Sequence, residues 1–122
     1  MTCKQILLIE DERDLRETLK LLLELEGFHV ATARNGREGL DLLDDRTPPC
    51  LIVLDMMMPV MSGWEFLETI KRERRALLEN TALLVITAVA DIGQSPSDLG
   101  CRVLKKPFEV EPFLQFARQH CC

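Results

Sequence analysis

Several short apolar runs in this chain end in side chains that can do chemistry. Glu10, Asp11 and Glu12 follow "QILLI", Asp55 follows "LIVL", Thr87 follows "LLVI", and Lys105, Lys106 and Pro107 close the segment "CRVLKKP". A carboxylate at the end of an apolar strand is costly unless something meets it. Brought together, Glu10, Asp11 and Asp55 would repel one another in the absence of a cation. An all-oxygen acidic cluster that leaves places for water and substrate oxygens suits Mg²⁺. Such an ion neutralises phosphoryl oxygens and holds them in line with a nucleophile. On that chemistry Asp55 is a candidate nucleophile that would form an aspartyl phosphate. Lys106 would pair with the free carboxylate or the phosphoryl group, and Thr87 would donate a hydrogen bond to a phosphoryl oxygen.

The elements that must position these residues follow from the pattern around them. Strands are predicted at Gln5–Ile9, Phe28–Ala33, Cys50–Asp55 and Ala82–Ala88, with a short fifth over "CRVLKK". Between the first two, Leu15, Leu19, Leu22 and Leu23 share one helical face, and Gly27 ends that helix. Asn35 is the expected N-cap of a second helix that Pro48 and Pro49 terminate. "SGWEFLETIKRERRALLEN" opens a third, with Ser62 and Glu65 at capping-box spacing. "EVEPFLQFARQH" is the last helix, with Pro112 confined to its first turn. The weak segment is Val89–Gly100, where Gly93 and Pro96 leave room for a helix of about two turns, short or irregular. Strands apolar on both faces and separated by helices imply a doubly wound, five-stranded parallel α/β sheet covered on each side. In such folds ligands sit beyond the carboxyl ends of the strands, the edge where all the residues named above would gather.

Composition narrows the function classes. The chain has 122 residues, enough for one domain spanning 1–122. Its formal net charge of −5 argues against a nucleic-acid surface built on bulk charge. No apolar run approaches the roughly 18–20 residues of a membrane span, and "MTCKQILLIEDERD" lacks the features of a signal peptide, so the cytoplasm is the default expectation. Five cysteines, Cys3, Cys50, Cys101, Cys121 and Cys122, include no C-x-x-C pair. In a reducing compartment most of them read as small buried or tail residues. "HCC" at the C-terminus lacks a fourth ligand and a rigid frame for a metal.

Four motifs in order carry a resemblance. "LLIEDERDLRETL", "LIVLDMMMPVMSGWEFL", "VITA" and "LKKPF" resemble the acidic pair, phosphoacceptor strand, hydroxyl and lysine motifs of the receiver domains of two-component response regulators. The likeness runs from about Lys4 to Phe116. It implies a flavodoxin-like (βα)5 receiver fold with strand order 2-1-3-4-5. It implies that Asp55 accepts a phosphoryl group from a histidine kinase or phosphotransfer protein. Glu10 and Asp11 would hold Mg²⁺, Asp11 directly and Glu10 partly through water, with the backbone carbonyl of Met57 as a further ligand. Thr87 would close on the phosphoryl group, Lys106 would contact it, and Pro107 would follow a cis peptide bond. The implied role is a phosphorelay switch, not a turnover enzyme, acting on a downstream protein target without direct nucleic-acid or membrane contact. The chain reads as a stand-alone receiver.

Two departures stand out. Val103 occupies the position, three before the lysine, where the family carries an aromatic switch residue, and the stretch between Thr87 and Lys106 is short. Met57 and Val89, two residues after Asp55 and Thr87, are apolar and would exclude attacking water, which predicts a long-lived phosphoaspartate. The alternative reading is a pseudo-receiver that keeps the fold but binds partners without phosphorylation. A flavin-binding module of the same topology is disfavoured, because no Ser/Thr/Gly-rich phosphate loop follows the first strand.

Overall fold

The computed structural model describes residues 5–44, 46–56, 58, 60–88 and 102–121. Their strands are β1 (Gln5–Ile9), β2 (His29–Ala33), β3 (Leu51–Asp55), β4 (Ala82–Thr87) and β5 (Arg102–Lys105). All pair in parallel in one sheet of order β2-β1-β3-β4-β5, the order the resemblance implies. The helices are α1 (Arg13–Leu25), α2 (Gly36–Leu42), α3 (Gly63–Glu73) and α4 (Val110–His120), with a 3-10 helix at Arg75–Glu79. The short crossover helix expected within Val89–Gly100 lies outside the described residues.

Because successive strand residues point to opposite faces, the apolar strands feed two cores. Leu7, Ile9, Ile52, Leu54, Leu83 and Val85 face α2 and α3, where Leu40, Phe66, Leu67 and Ile70 meet them. Ile6, Leu8, Leu51, Val53, Leu84 and Ile86 face α1 and α4, against Leu19, Leu23, Phe113, Leu114 and Ala117. Leu15 and Leu22 only flank that core, while Leu19 and Leu23 are buried in it. α1 ends in a Schellman turn: Gly27 takes φ 98°, and its N–H and that of Phe28 donate to the carbonyls of Glu24 and Leu23.

Three elements differ from the sequence reading. α2 stops at Leu42, well before Pro48 and Pro49. Leu43 turns extended, buries its side chain in the core, and gives its carbonyl to Arg74 Nη1 at 3.4 Å. α3 breaks at Arg74, its cap residue, and does not continue through "RALLEN". The 3-10 helix that follows returns Leu77 to the core and aims the chain at β4. The third difference concerns the cysteines. Cys50 and Cys121, 71 residues apart, form a disulfide. Cys121 is a buried anchor, not part of a loose tail. No helix among the described residues is long and apolar enough to cross a membrane.

Candidate functional site

The carboxyl ends of β1, β3, β4 and β5 meet at one edge. Glu10 is the first residue past β1, and its N–H donates to the Ala33 carbonyl at the end of β2, 3.0 Å away. Its carbonyl accepts from Arg16 Nη1 at 2.9 Å, so α1 braces the same turn. Glu10 is buried, and its Oε2 accepts the Glu12 N–H at 3.1 Å. Asp55, the last residue of β3, is also buried. Asp11 is exposed, at the mouth. One carboxylate oxygen from each of Glu10, Asp11 and Asp55 lies within 4.8 Å of the others.

A single side chain meets both buried acids. Lys106 Nζ donates to Glu10 Oε1 at 3.2 Å and to Asp55 Oδ2 at 3.3 Å, which answers how an apolar strand tolerates Asp55. The backbone holds the lysine there: its N–H donates to the Thr87 carbonyl at 2.7 Å, and the Lys106–Pro107 bond is cis, as the resemblance implies. Thr87 is buried at the end of β4 beside this pair. Lys105 is exposed and stays outside the site.

The electrostatics follow from burial. Loss of solvent pushes the Glu10 carboxyl up to about 7; the Glu12 N–H and Lys106 pull it down, and the Asp55 charge pushes it up again. Burial lowers the Lys106 ammonium pKa, but the Glu10 and Asp55 charges and hydrogen bonds outweigh this and hold it above its usual value. Three carboxylates facing one ammonium leave the edge short of positive charge. The donor set is all oxygen, with one acid open to solvent, which fits a hard divalent cation that keeps several waters.

Of the residues singled out from the sequence, Glu10, Asp11, Asp55 and Lys106 are brought together, with Thr87 at the neighbouring strand end. Met57 and Val89 lie outside the described residues, so the expected carbonyl ligand and water barrier do too. Glu12 contributes through its backbone N–H. Trp64 packs, half-buried, against the core beside the loop that follows β3. Val103 pairs with Val85 and is 38% exposed. Sequence reasoning missed Gly63. A Cβ there would come within 2.7 Å of the Asp55 carbonyl oxygen and 2.6 Å of Met56 Sδ, so only glycine lets the start of α3 press against the end of β3. Its place in "MSGW", right after a capping serine, was the available signal.

The sequence profile of the response regulator receiver domain matches residues 6–117. The chain belongs to that family. This receiver domain is 40% identical over 84 residues to the transcriptional regulatory protein CpxR of Escherichia coli, a match that covers 69% of the chain and 33% of CpxR. The chain therefore spans about a third of that relative's length. Among solved structures it resembles the chemotaxis protein CheY4 of Vibrio cholerae, with a TM-score of 0.81 and 26% identity over 98% of this chain and 99% of that one. It also resembles the response regulator TrrA of Thermotoga maritima, solved in complex with Mg²⁺ and BeF, with a TM-score of 0.77 and 27% identity over 94% and 96% of the two chains.

Proposed function

We propose that this receiver domain accepts a phosphoryl group on Asp55 from a histidine kinase or phosphotransfer protein, with Mg²⁺ bound by Glu10, Asp11 and Asp55. The observation that carries the reading is the convergence of Lys106 Nζ on Asp55 and Glu10, at 3.3 and 3.2 Å, beside a third carboxylate at the mouth. When bound, Mg²⁺ would supply charge neutralisation for the phosphoryl oxygens. The chain's own residues do the rest. An Asp55 carboxylate oxygen attacks phosphorus, the donor's leaving oxygen or nitrogen departs with the bonding electrons, and an acyl phosphate remains on Asp55. Lys106, freed from Asp55, pairs with the incoming phosphoryl oxygens and keeps its bond to Glu10. The Thr87 hydroxyl, at the end of the neighbouring strand, donates to a phosphoryl oxygen.

The output follows as a population shift between two conformations with different affinity for a protein partner. The domain acts as an acceptor and not as a turnover enzyme, and a cytoplasmic setting goes with a kinase donor. Its net charge of −5 argues against a nucleic-acid surface built on bulk charge. Relatives named as transcriptional regulators extend well beyond the matched portion. A second reading rests on Val103: an aliphatic residue on β5 offers no ring to relay the state of Thr87, as a phosphorylation-independent module would have it.

Intact mass after incubation with a small acyl-phosphate donor, with and without Mg²⁺, separates the two. Gain of one phosphoryl group that needs Mg²⁺ and is absent in Asp55→Asn is expected. Folded protein that gains nothing would leave the interaction module as the function.

A further inference from the structure

We infer that Cys50 and Cys121 form a reversible redox latch, which fastens the end of α4 to the start of the phosphoacceptor strand. The two sulfurs are bonded. Disulfides in reducing compartments are as a rule redox-sensing or catalytic and not permanent staples, and the proposed kinase-linked role places this domain in such a compartment.

The two ends of the bond are held very differently. Cys50 is fixed within the sheet: its N–H donates to the Gln5 carbonyl at 2.9 Å, and its carbonyl accepts from Ala82 N–H at 3.0 Å. Cys121 is the C-cap of α4, packed at the margin of the core, and its N–H donates to the Ala117 carbonyl at 2.9 Å. Opening the bond therefore releases the Cys121 end of α4 from the sheet and leaves the sheet in place. The rest of α4 keeps its buried Phe113, Leu114 and Ala117 and the ion pair from Arg118 Nε to Glu26 Oε1 at 2.6 Å.

The reduced form is also provided for. The Gln5 carbonyl oxygen lies 3.2 Å from Cys50 Sγ, so a thiol there has an acceptor and buries no unpaired donor. Both cysteines are buried, but Cys50 borders an open cavity of about 530 Å³ shared with Thr81, Arg102, Phe116 and His120. A small thiol or disulfide fits such a space, which gives exchange a route to the Cys50 sulfur.

The chemistry balances as thiol–disulfide exchange. In the closing direction one protein thiolate attacks a low-molecular-weight disulfide, forming a mixed disulfide and releasing one small thiolate. The second protein thiolate then displaces the other, so the pair loses two electrons and two protons and the oxidant becomes two small thiols. A dithiol reverses both steps. Cys50 and Asp55 stand at opposite ends of β3, so phosphoryl acceptance continues in both states while the mobility of the α4 end changes.

The test uses the full chain with Cys3→Ser, Cys101→Ser and Cys122→Ser, which leaves only this pair, alongside wild type. Native protein is equilibrated with a small disulfide and then with a dithiol, and followed by alkylation mass, amide exchange and melting. Expected are one bond joining the Cys50 and Cys121 peptides, two alkylatable thiols after native-state reduction, and exchange at least tenfold faster in the last turn of α4 with β1 and β3 unchanged. Melting should fall by roughly ten degrees or more, because a long closed loop is released. Wild type carried through the same cycle should show the same bond. Thiols that alkylate freely after oxidation would overturn the latch. So would a bond that resists the dithiol until the protein unfolds, or reduction that leaves exchange and melting unmoved.

Discussion

Replacing Glu10 by Gln is expected to make the metal-free protein more stable above neutral pH and to flatten its stability between pH 5 and 7.5. The carboxyl is fully buried and its pKa is raised from 4.5 to about 7. A raised acid binds its proton more tightly in the folded than in the unfolded chain. Between those two values the folded chain therefore carries the extra proton, and stability falls as pH rises through the window. The gap corresponds to about 3 kcal/mol, missing at pH 8 and present again below pH 4.5. Gln keeps the size and an oxygen to accept the Glu12 N–H, and it cannot ionise. It gives up the Lys106 ion pair, but Lys106 keeps Asp55 at 3.3 Å. A net gain of about 1–3 kcal/mol at pH 8 is left after that loss. Urea unfolding in chelator, followed by Trp64 fluorescence at pH 5, 6, 7 and 8, measures it. A wild type whose stability rises across that range, or a variant with the same slope as wild type, would refute the claim that burial of Glu10 dominates the site.

Other perturbations are as direct. Gly39→Ala would put a Cβ 2.4 Å from Ile9 Cδ1 and 3.2 Å from Phe66 Cε1, and should cost about 1–3 kcal/mol in urea unfolding despite the better helix former. Thr81→Val removes the hydroxyl that donates to the Pro49 carbonyl at 2.7 Å in a buried setting, for a loss of about 1–3 kcal/mol; an unchanged midpoint would mean that solvent reaches that carbonyl. Val60 holds φ 70° on the exposed loop beside the site, a conformation disfavoured for a β-branched residue, so Val60→Gly should be neutral or stabilising by up to about 1 kcal/mol. A lower melting temperature in that variant would count against strain there.

Where local chemistry decides structure, the sequence was sufficient. β1 spans Gln5–Ile9 and ends where its apolar run ends. Asn35 caps α2 by accepting the Glu38 N–H, and Ser62 and Glu65 form the reciprocal cap of α3. The site was legible for a different reason. In a parallel sheet every strand has the same direction, so residues that follow strands need no further information to be placed at one edge. What escaped reading depends on contacts distant in sequence. α2 stops where Leu43 finds a core and Arg74 meets its carbonyl, and nothing in "LLDDRTPP" announces that. The Cys50–Cys121 bond joins residues whose spacing matches no motif. Yet a helix that returns antiparallel to its strand ends at the edge where strands begin, and that rule would have brought the C-terminal cysteines to the edge where Cys50 stands.

The β4–β5 ladder sets Thr87 directly opposite Lys105, and the next residue is the lysine that reaches Asp55. The relation between hydroxyl and ammonium is thus fixed by strand register and not by the length of chain that joins them. Residues can be added to or removed from that connection with the cluster unchanged, as long as the four paired positions of the ladder persist. What the ladder must keep is therefore small: four paired positions hold the hydroxyl-bearing strand end and the lysine in step.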